Sequence, residues 1–282
     1  NFLKNKTILV TGASGSIGSA LARKIYKQSP KTLLLLDDNE SDLFNLWEDL
    51  KRAKPIVGDI KDEDWVEFII QKNKPHIVFH AAAYKHVIMM EKYPLEAIKT
   101  NIDGTINLLQ SSIKNNVSKF IFISTDKSVH PISVMGQSKK IGEKLCKFLD
   151  SFHKTRFIIV RFGNVLASRG SVVEIFRKQI RKEVPLTITD KNMRRFTMGI
   201  YEAADLVLKA AELGKGGEVF IFDMGKDVLV EDLAKLMVKL SGKDLPIKYI
   251  GKKPGEKLFE ELFTKVEKRS AKKLGNLYVI RK

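Results

Sequence analysis

The fold of this chain is decided by the stretch Thr7-Ile8-Leu9-Val10-Thr11-Gly12-Ala13-Ser14-Gly15-Ser16-Ile17-Gly18. Its apolar first half predicts a buried strand, and the glycines that follow directly open a segment with helical periodicity. Glycines at this place permit a tight turn and let the backbone approach a pyrophosphate, which then lies at the positive N-terminus of the helix. The stretch therefore predicts a dinucleotide site, with candidate cofactor-binding residues Gly12, Ser14, Gly15, Ser16, Ile17 and Gly18.

An acidic residue at the end of the second predicted strand supports this reading. Asp37 follows the glycine turn by about 20 residues, where a carboxylate can accept hydrogen bonds from both ribose hydroxyls of an adenosine. Its neighbours Asp38, Asn39 and Glu40 offer no Arg or Lys for a 2′-phosphate. The sequence therefore predicts NAD rather than NADP as the cofactor.

The order of apolar runs predicts the architecture. Strands are predicted at residues 7–10, 32–36, 55–57, 76–80, 119–124 and 156–161, with helix-length segments between them. Such alternation indicates an α/β protein with a Rossmann-type doubly wound parallel sheet covered on both faces. After about Gly163 the rhythm changes, with helices near 171–182, 201–213 and 230–240 and short strands at 186–189, 218–222 and 245–250. We therefore expect a NAD-binding domain over residues 1–165 and a smaller substrate-binding region over residues 166–282.

Composition limits the class of protein. The 282 residues are 44% hydrophobic, and no apolar run approaches a membrane span, which indicates a soluble globular protein. The single Cys146 excludes an internal disulfide. The net charge of +17 comes from Lys and Arg scattered among Glu and Asp, without interleaved aromatic residues, so no nucleic-acid partner is expected. His80, His86 and His130 lack metal-ligand spacing, so no metal is expected.

Residues 124–139 resemble the active-site stretch of a short-chain dehydrogenase/reductase in which one catalytic residue is exchanged. That superfamily has Tyr four residues before Lys, whereas this chain has Met135 before Lys139. A thioether cannot take or give a proton. Asp126 and Lys127 are then the ionisable groups nearest the substrate, and they could supply the base and the acid that a dehydration needs. The candidate catalytic residues are Thr125, which can hydrogen-bond a hydroxyl, Asp126, Lys127, Met135, and Lys139, which can hold the nicotinamide ribose.

Further motifs indicate which subgroup of this superfamily the chain resembles. They are His80-Ala81-Ala82-Ala83-Tyr84-Lys85-His86-Val87, Ser124-Thr125-Asp126-Lys127, Val134-Met135-Gly136, Arg161-Phe162-Gly163-Asn164-Val165 and Pro254-Gly255-Glu256-Lys257-Leu258-Phe259-Glu260-Glu261-Leu262. From about Lys6 to Leu262 the chain is similar to the nucleotide-sugar 4,6-dehydratases of polysaccharide and glycan biosynthesis, in the branch with Met in place of Tyr.

The resemblance implies a substrate, UDP-N-acetylglucosamine, and roles for further residues. In that family Asp59 and Ile60 would face the adenine, and the backbone of Ala81 and Ala82 would approach the cofactor. Lys253 departs from the pattern because the family usually has Arg there, where a phosphate or uridine contact would need a bidentate side chain. The candidate substrate-binding residues are Lys85, Asn164, Arg195 and Lys253.

The expected reaction is oxidation at C4, abstraction of the C5 proton, loss of the C6 hydroxyl as water and return of hydride to C6. Lys127, as an amine with a lowered pKa, would be the base, and Asp126 would be the acid. One alternative is a UDP-sugar 4-epimerase, which returns hydride to C4, and another is a non-catalytic NAD-binding sensor. The missing Tyr and the added Asp126-Lys127 pair favour the dehydratase.

The resemblance also implies a location and an assembly. Many relatives in the Met branch carry membrane-spanning segments ahead of the catalytic domain, so one expectation is that such a membrane-anchoring region has been removed before Asn1. The chain is expected in the cytoplasm, either free or as the cytoplasmic domain of a membrane-anchored protein. A homo-oligomer is expected.

Overall fold

The structure is a computed structural model that describes residues 2–281. The strands are β1 Thr7–Thr11, β2 Thr32–Asp37, β3 Lys54–Val57, β4 Ile77–His80, β5 Lys119–Thr125, β6 Arg156–Phe162, β7 Asn164–Val165, β8 Leu186–Ile188, β9 Arg194–Arg195, β10 Thr197–Met198, β11 Val219–Phe222, β12 Val228–Leu229, β13 Ile247–Tyr249, β14 Lys272–Leu274 and β15 Leu277–Ile280. The helices are α1 Ser16–Lys27, α2 Glu40–Asp49, α3 Glu63–Asn73, α4 Val87–Lys92, α5 Pro94–Ala97, α6 Gly104–Lys114, α7 Val134–Asp150, α8 Val172–Arg181, α9 Ile200–Leu213, α10 Val230–Ser241 and α11 Lys265–Ser270. A π-helical segment, Ile98–Asp103, and a 3-10 turn, Asp126–Ser128, interrupt this series.

A nine-stranded sheet in the order β14-β15-β11-β6-β5-β4-β1-β2-β3 forms the centre of the molecule. The strands from β3 to β11 pair in parallel, whereas β15 and β14 are antiparallel additions at one edge. Every residue of β1 and β4 is buried, as expected for strands covered by helices on both faces. The α/β, Rossmann-type doubly wound sheet expected from the sequence is confirmed.

The chain order reverses beside β1, since β2 and β3 lie on one side of it and β4, β5 and β6 on the other. In an open parallel sheet, ligands bind at such a switch point, in the crevice outside the carboxyl ends of the strands. The ends of β1, β2, β4, β5 and β6 meet there. The topology thereby brings the glycine turn, Asp37, Ala81 and Thr125 to one edge of the sheet.

A second, smaller core lies in the C-terminal half. Phe176 of α8, Leu186 and Ile188 of β8, and Val230 and Ala234 of α10 are buried together. The C-terminal half also supplies β11, β14 and β15 to the main sheet, while α9 packs on α1. Residues on both sides of position 165 therefore build one sheet, and the division at that position stays a prediction.

No helix within residues 2–281 combines the length and the apolar content that crossing a membrane requires.

Candidate functional site

Two adjoining cavities occupy the carboxyl edge of the sheet. One, of about 240 Å³, lies between the glycine turn, Asp37 and Ile60. The other, of about 520 Å³, extends from the glycine turn to Thr125, Lys127 and the loop after β7. Gly12, Gly15 and Ala81 line both cavities. The two cavities therefore form one elongated groove that a dinucleotide and a second ligand could share.

The glycine turn allows the backbone to pass very close to the end of β4. Gly12 has φ +62°, and a Cβ atom there would lie 2.6 Å from Cα of Ala82. A Cβ on Gly18 would collide with the carbonyl oxygen of Gly12. Only glycine fits either position without movement of backbone. The turn has the form that a pyrophosphate at the N-terminus of α1 requires.

Asp37 ends β2 and is held by two backbone donors. The amides of Ser14 and Asn39 donate to its two carboxylate oxygens at 2.8 and 3.0 Å. Each oxygen keeps a lone pair for another donor. Asp37 lines the smaller cavity, so its carboxylate is placed to accept hydrogen bonds from a ribose.

The remaining candidate cofactor residues also line this groove. Asp59, Ile60, Ala81 and Ala82 line the smaller cavity, and Ser16, Ile17 and Gly18 line the larger one. Asp59 forms an ion pair with Lys61 at 3.1 Å. The groove thus contains every residue that the sequence predicted for the cofactor.

Arg169 was not predicted, although it lines both cavities. Its backbone amide donates to the Ser16 hydroxyl at 3.0 Å, and its guanidinium lies 2.6 Å from the Asp42 carboxylate at the start of α2. Arg169 follows β7 and is 127 residues from Asp42 along the chain, so no local pattern connects it with the groove. A cation does line the cofactor groove, although none flanks Asp37 in sequence.

The candidate catalytic pair lies where β5 ends. The Thr125 hydroxyl and the Lys127 ammonium both donate to Oδ1 of Asp126, each at 2.9 Å. Asp126 is fully buried, and its Oδ2 has no hydrogen-bond partner among residues 2–281. Thr125 and Lys127 line the larger cavity, but Asp126 does not. Asp126 therefore reaches a ligand only through its two neighbours.

Lys127 contacts two further side chains, Oδ1 of Asn164 at 3.0 Å and Oε1 of Glu260 at 3.6 Å. Burial lowers the pKa of Lys127, but the carboxylates of Asp126 and Glu260 outweigh it, so the pKa lies above its ordinary value. The expectation of a lowered pKa is wrong, because the carboxylate of Asp126, assisted by that of Glu260, outweighs the effect of burial. Lys127 is an ammonium at neutral pH.

Met135 and Lys139 lie on one face of α7, a turn apart. Met135 is buried and packs with Met90 and Ala97 while also lining the larger cavity. Nζ of Lys139 donates to the carbonyl oxygen of Ile123 at 2.9 Å, and burial lowers its pKa to about 8. Met135 offers only an apolar surface, whereas Lys139 can change charge near neutral pH.

The candidate substrate residues divide into two groups. Lys85 and Asn164 line the larger cavity, and burial lowers the pKa of Lys85. Arg195 and Lys253 line neither cavity. Nη1 of Arg195 donates to the carbonyl oxygens of Arg194 and Leu258 at 2.7 and 3.1 Å. The structure therefore does not bring Arg195 and Lys253 to the groove, and their contact with a nucleotide stays a prediction.

Within the described part of the chain, no three His, Cys, Asp or Glu side chains are grouped so that they could hold a metal ion. His80 instead bridges the hydroxyls of Thr11 and Thr105 at 2.8 and 2.9 Å.

The chain is similar to known proteins of one family over nearly all of its length. Residues 8–282 match the family described as polysaccharide biosynthesis protein. The capsular polysaccharide biosynthesis protein CapD of Staphylococcus aureus is 46% identical over 276 residues, which are 94% of this chain and 46% of CapD. The chain thus spans about half the length of the first curated relatives that it matches. A UDP-glucose 4-epimerase of Rickettsia bellii is 38% identical over 98% of this chain and 83% of its own length.

The solved structure of Pen from Bacillus thuringiensis has a TM-score of 0.95 and 35% identity, with 100% of this chain and 89% of Pen covered. The chain belongs to the polysaccharide biosynthesis protein family, within the extended short-chain dehydrogenases/reductases.

Proposed function

We propose that this protein is an NAD-dependent UDP-N-acetylglucosamine 4,6-dehydratase. The observation that carries the proposal is the Lys127 ammonium. It is paired with a fully buried carboxylate and lines the larger cavity, which is also lined by Met135, the residue that stands where the superfamily has Tyr. A hydride-transfer enzyme that has lost its phenol but gained a cavity-facing amine is suited to move a proton from carbon. The similarity to a capsular polysaccharide protein supports a sugar nucleotide as the substrate.

The groove fits NAD. Gly12 and Gly18 leave room for a pyrophosphate, Asp37 can accept from the adenosine ribose, and Lys139 can donate to the nicotinamide ribose. When bound, NAD would supply the redox chemistry, the uptake of hydride from C4 and its return to C6. The protein then has to orient the sugar and move its protons.

In the elimination, the C5–H and C6–O bonds break, a C5–C6 double bond forms, and the C5 proton leaves with the C6 hydroxyl as water. Lys127 is the ionisable side chain of the pair that faces the cavity, so we assign both proton transfers to its Nζ. Asp126 accepts the resting ammonium proton through the 2.9 Å hydrogen bond, which frees the amine to take the C5 proton. The ammonium formed then protonates the leaving hydroxyl. The C4 hydroxyl proton is released to solvent when C4 is oxidised, and C5 takes a proton from solvent when hydride returns to C6.

Thr125 and Met135 would orient the sugar. The Thr125 hydroxyl lines the cavity beside Lys127 and can hydrogen-bond the C4 hydroxyl. Met135 would pack beside the ring without exchanging a proton. Asp126, which is buried, acts on the sugar only through Lys127 and Thr125. This differs from the role of direct acid that the sequence predicts for it.

Mass spectrometry tests the reaction. Incubation with UDP-N-acetylglucosamine should yield a nucleotide sugar lighter by one water, and reaction in D2O should place deuterium at C5. Lys127→Ala should lower the rate by orders of magnitude. A product that keeps its C6 hydroxyl, or wild-type turnover by the Asp126→Ala, Lys127→Ala double variant, would contradict the proposal.

A UDP-sugar 4-epimerase is the second candidate, because the chain is similar to such an enzyme from Rickettsia bellii over 83% of that enzyme's length. The two reactions share oxidation at C4. Inversion at C4 with no loss of water and no deuterium at C5 would favour the epimerase.

A further inference from the structure

The segment between β13 and α11, residues 250–264, packs against the Asp126–Ser128 turn and is fixed on both sides of Glu260. On one side, Nζ of Lys257 donates to the carbonyl oxygen of Val129 at 2.7 Å. On the other, the carbonyl oxygen of Leu262 accepts from Arg161 at 3.0 Å. Glu260 is therefore held in a defined place against the Asp126–Ser128 turn.

The side chain of Glu260 is buried beside Lys127. It is only 4% exposed, and its Oε1 lies 3.6 Å from Nζ of Lys127. Its Oε2 has no hydrogen-bond partner among residues 2–281, and the same is true of Oδ2 of Asp126. Two buried carboxylates thus share one ammonium, and each keeps an unpaired oxygen.

The charged groups around Glu260 come from three elements. Asp126 and Lys127 lie on the 3-10 turn, Arg195 on β9, and Lys257 on the same segment as Glu260. Burial raises the pKa of Glu260, Lys127 lowers it, and the like charge of Asp126 raises it, with a net rise. A carboxylate this close to a buried amine favours the charged form of that amine.

We propose that Glu260 is a positioning residue that sets the protonation state of Lys127, the amine that faces the cavity. This proposal rests on the proposed function only for the reaction that Lys127 performs. The effect of Glu260 on the charge of Lys127 is independent of that reaction. Glu260 and Asp126 together keep Lys127 as an ammonium, and each removes part of the cost of burying it.

The direction of the effect does not depend on which way Lys127 moves its proton. Replacing Glu260 by Gln removes a negative charge at 3.6 Å and keeps the shape of the side chain. The pKa of Lys127 should then fall by about one unit or more. The limb of the pH–rate profile that belongs to Lys127 should move to lower pH, whether the amine acts as base or the ammonium acts as acid.

NMR of the lysine side chains measures this without any turnover. The full chain is labelled with ¹³Cε-lysine, the Lys127 signal is assigned by its absence in Lys127→Arg, and its titration is followed in wild type and Glu260→Gln. Glu261→Gln is the matched control, because the neighbouring Glu261 is exposed and its loss changes the net charge equally. We expect a fall of about one unit in Glu260→Gln and none in Glu261→Gln.

An unchanged Lys127 pKa in folded Glu260→Gln, or an equal fall in both variants, overturns the inference. If Glu260→Gln does not fold, Glu260→Asp takes its place, since the shorter side chain moves the carboxylate away and should produce a smaller fall in the same direction. A shift in the Lys127 pKa together with no dehydration would reject the proposed function and leave this inference standing.

Discussion

Met135 packs in the interior beside Met90 and Ala97, where it is 3% exposed, and its thioether can neither exchange a proton nor accept a strong hydrogen bond. Met135→Leu should keep activity and stability close to wild type, since it conserves volume. Met135→Ala should lower the free energy of unfolding by about 2 to 5 kcal/mol while leaving the pH–rate profile unshifted. Urea unfolding and the pH dependence of kcat measure the two effects. A shifted profile in Met135→Ala would show that Met135 does more than pack.

Asp37 should determine the choice between NAD and NADP, because its carboxylate repels a 2′-phosphate and accepts from a 2′-hydroxyl. Asp37→Ala should weaken NAD binding and reduce the ratio of NADP to NAD dissociation constants at least about tenfold. Calorimetric titration with both dinucleotides gives the ratio. The control is Glu40→Gln, which removes an exposed carboxylate three residues after Asp37 that takes no part in the Ser14 and Asn39 contacts. An unaltered ratio in Asp37→Ala would reject the assignment.

The residues that sequence reasoning found at the groove are those with a local pattern. Gly12 and Asp37 were predictable because a turn next to a strand and a carboxylate at the end of the following strand are short-range signals. Glu260 and Arg169 were not, because tertiary contacts carry them to the site from distant parts of the chain. The pKa of Lys127 is raised first by the neighbouring Asp126 and then by Glu260, and only the second of these contacts lay outside the local sequence.

At the scale of elements, the buried guanidinium of Arg161 joins β6, α7 and α11. It donates to Glu143 at 2.7 Å and to Glu267 at 3.0 Å, and Glu143 also accepts from the hydroxyls of Ser124 and Ser128 at 2.6 and 2.7 Å. The turn that carries Lys127 is therefore supported from behind by an ion-pair network.

This network should make stability depend on pH in the acid range. Burial raises the pKa of Glu267, but the hydrogen bonds from Arg161 outweigh it and bring the pKa to about 2. Because the folded-state pKa is depressed, the stabilisation is complete above about pH 4.5 and is lost as pH falls toward 2. Its size is on the order of 3 kcal/mol.

Denaturant unfolding of Glu267→Gln between pH 7 and pH 3 checks this expectation. At pH 7 the Glu267→Gln variant should lack most of the stabilisation that Glu267 contributes. Its free energy of unfolding should also change less with pH than that of wild type. Glu261→Gln, which removes an exposed carboxylate, should follow the wild-type curve. Parallel curves for wild type and Glu267→Gln would contradict the assignment to Glu267.

In the glycine turn, substitution by Ala should be tolerated better at Gly15 than at Gly12. Gly12→Ala forces a side chain into positive φ and to 2.6 Å from backbone of Ala82, so NAD binding should fall at least about tenfold. At Gly15 the nearest atom to an added Cβ is the carbonyl oxygen of Gly12 at 3.1 Å, so Gly15→Ala should weaken binding less. Calorimetry on both variants ranks them, and the reverse order would contradict the geometry.

The parallel strands of the central sheet were predictable to within about one residue, because most of them are continuous apolar runs between turn residues. The edge strands β14 and β15 and the two-residue strands β7, β9, β10 and β12 were not predicted. β14 is exposed along its length and β7 has only two residues, so neither carries a periodic signal. Tertiary pairing, and not local pattern, makes these segments strands.

At the scale of the whole molecule, the excess positive charge is spread over the surface and partly paired. Lys24 bridges to Asp205 at 2.8 Å, and Arg23 bridges to Asp49 at 2.7 Å. We therefore expect binding of duplex or single-stranded DNA to be weaker than micromolar at physiological salt, measured by fluorescence anisotropy. Any weak binding should be abolished by further salt, and a submicromolar dissociation constant at about 0.15 M salt would contradict this expectation.

The Arg161 network has a consequence for how the protein is made. Arg161 leaves the ribosome 106 residues before Glu267, and β15, the strand that pairs with β11 beside β6, follows later still. At the usual rates of synthesis this interval is roughly 5 to 20 s. During it, the nascent chain holds a guanidinium that has only one of its two carboxylate partners. The ion-pair network behind the Asp126–Ser128 turn can therefore be completed only after α11 has been synthesised, so the support of the Lys127 turn is a late event in the synthesis of this region.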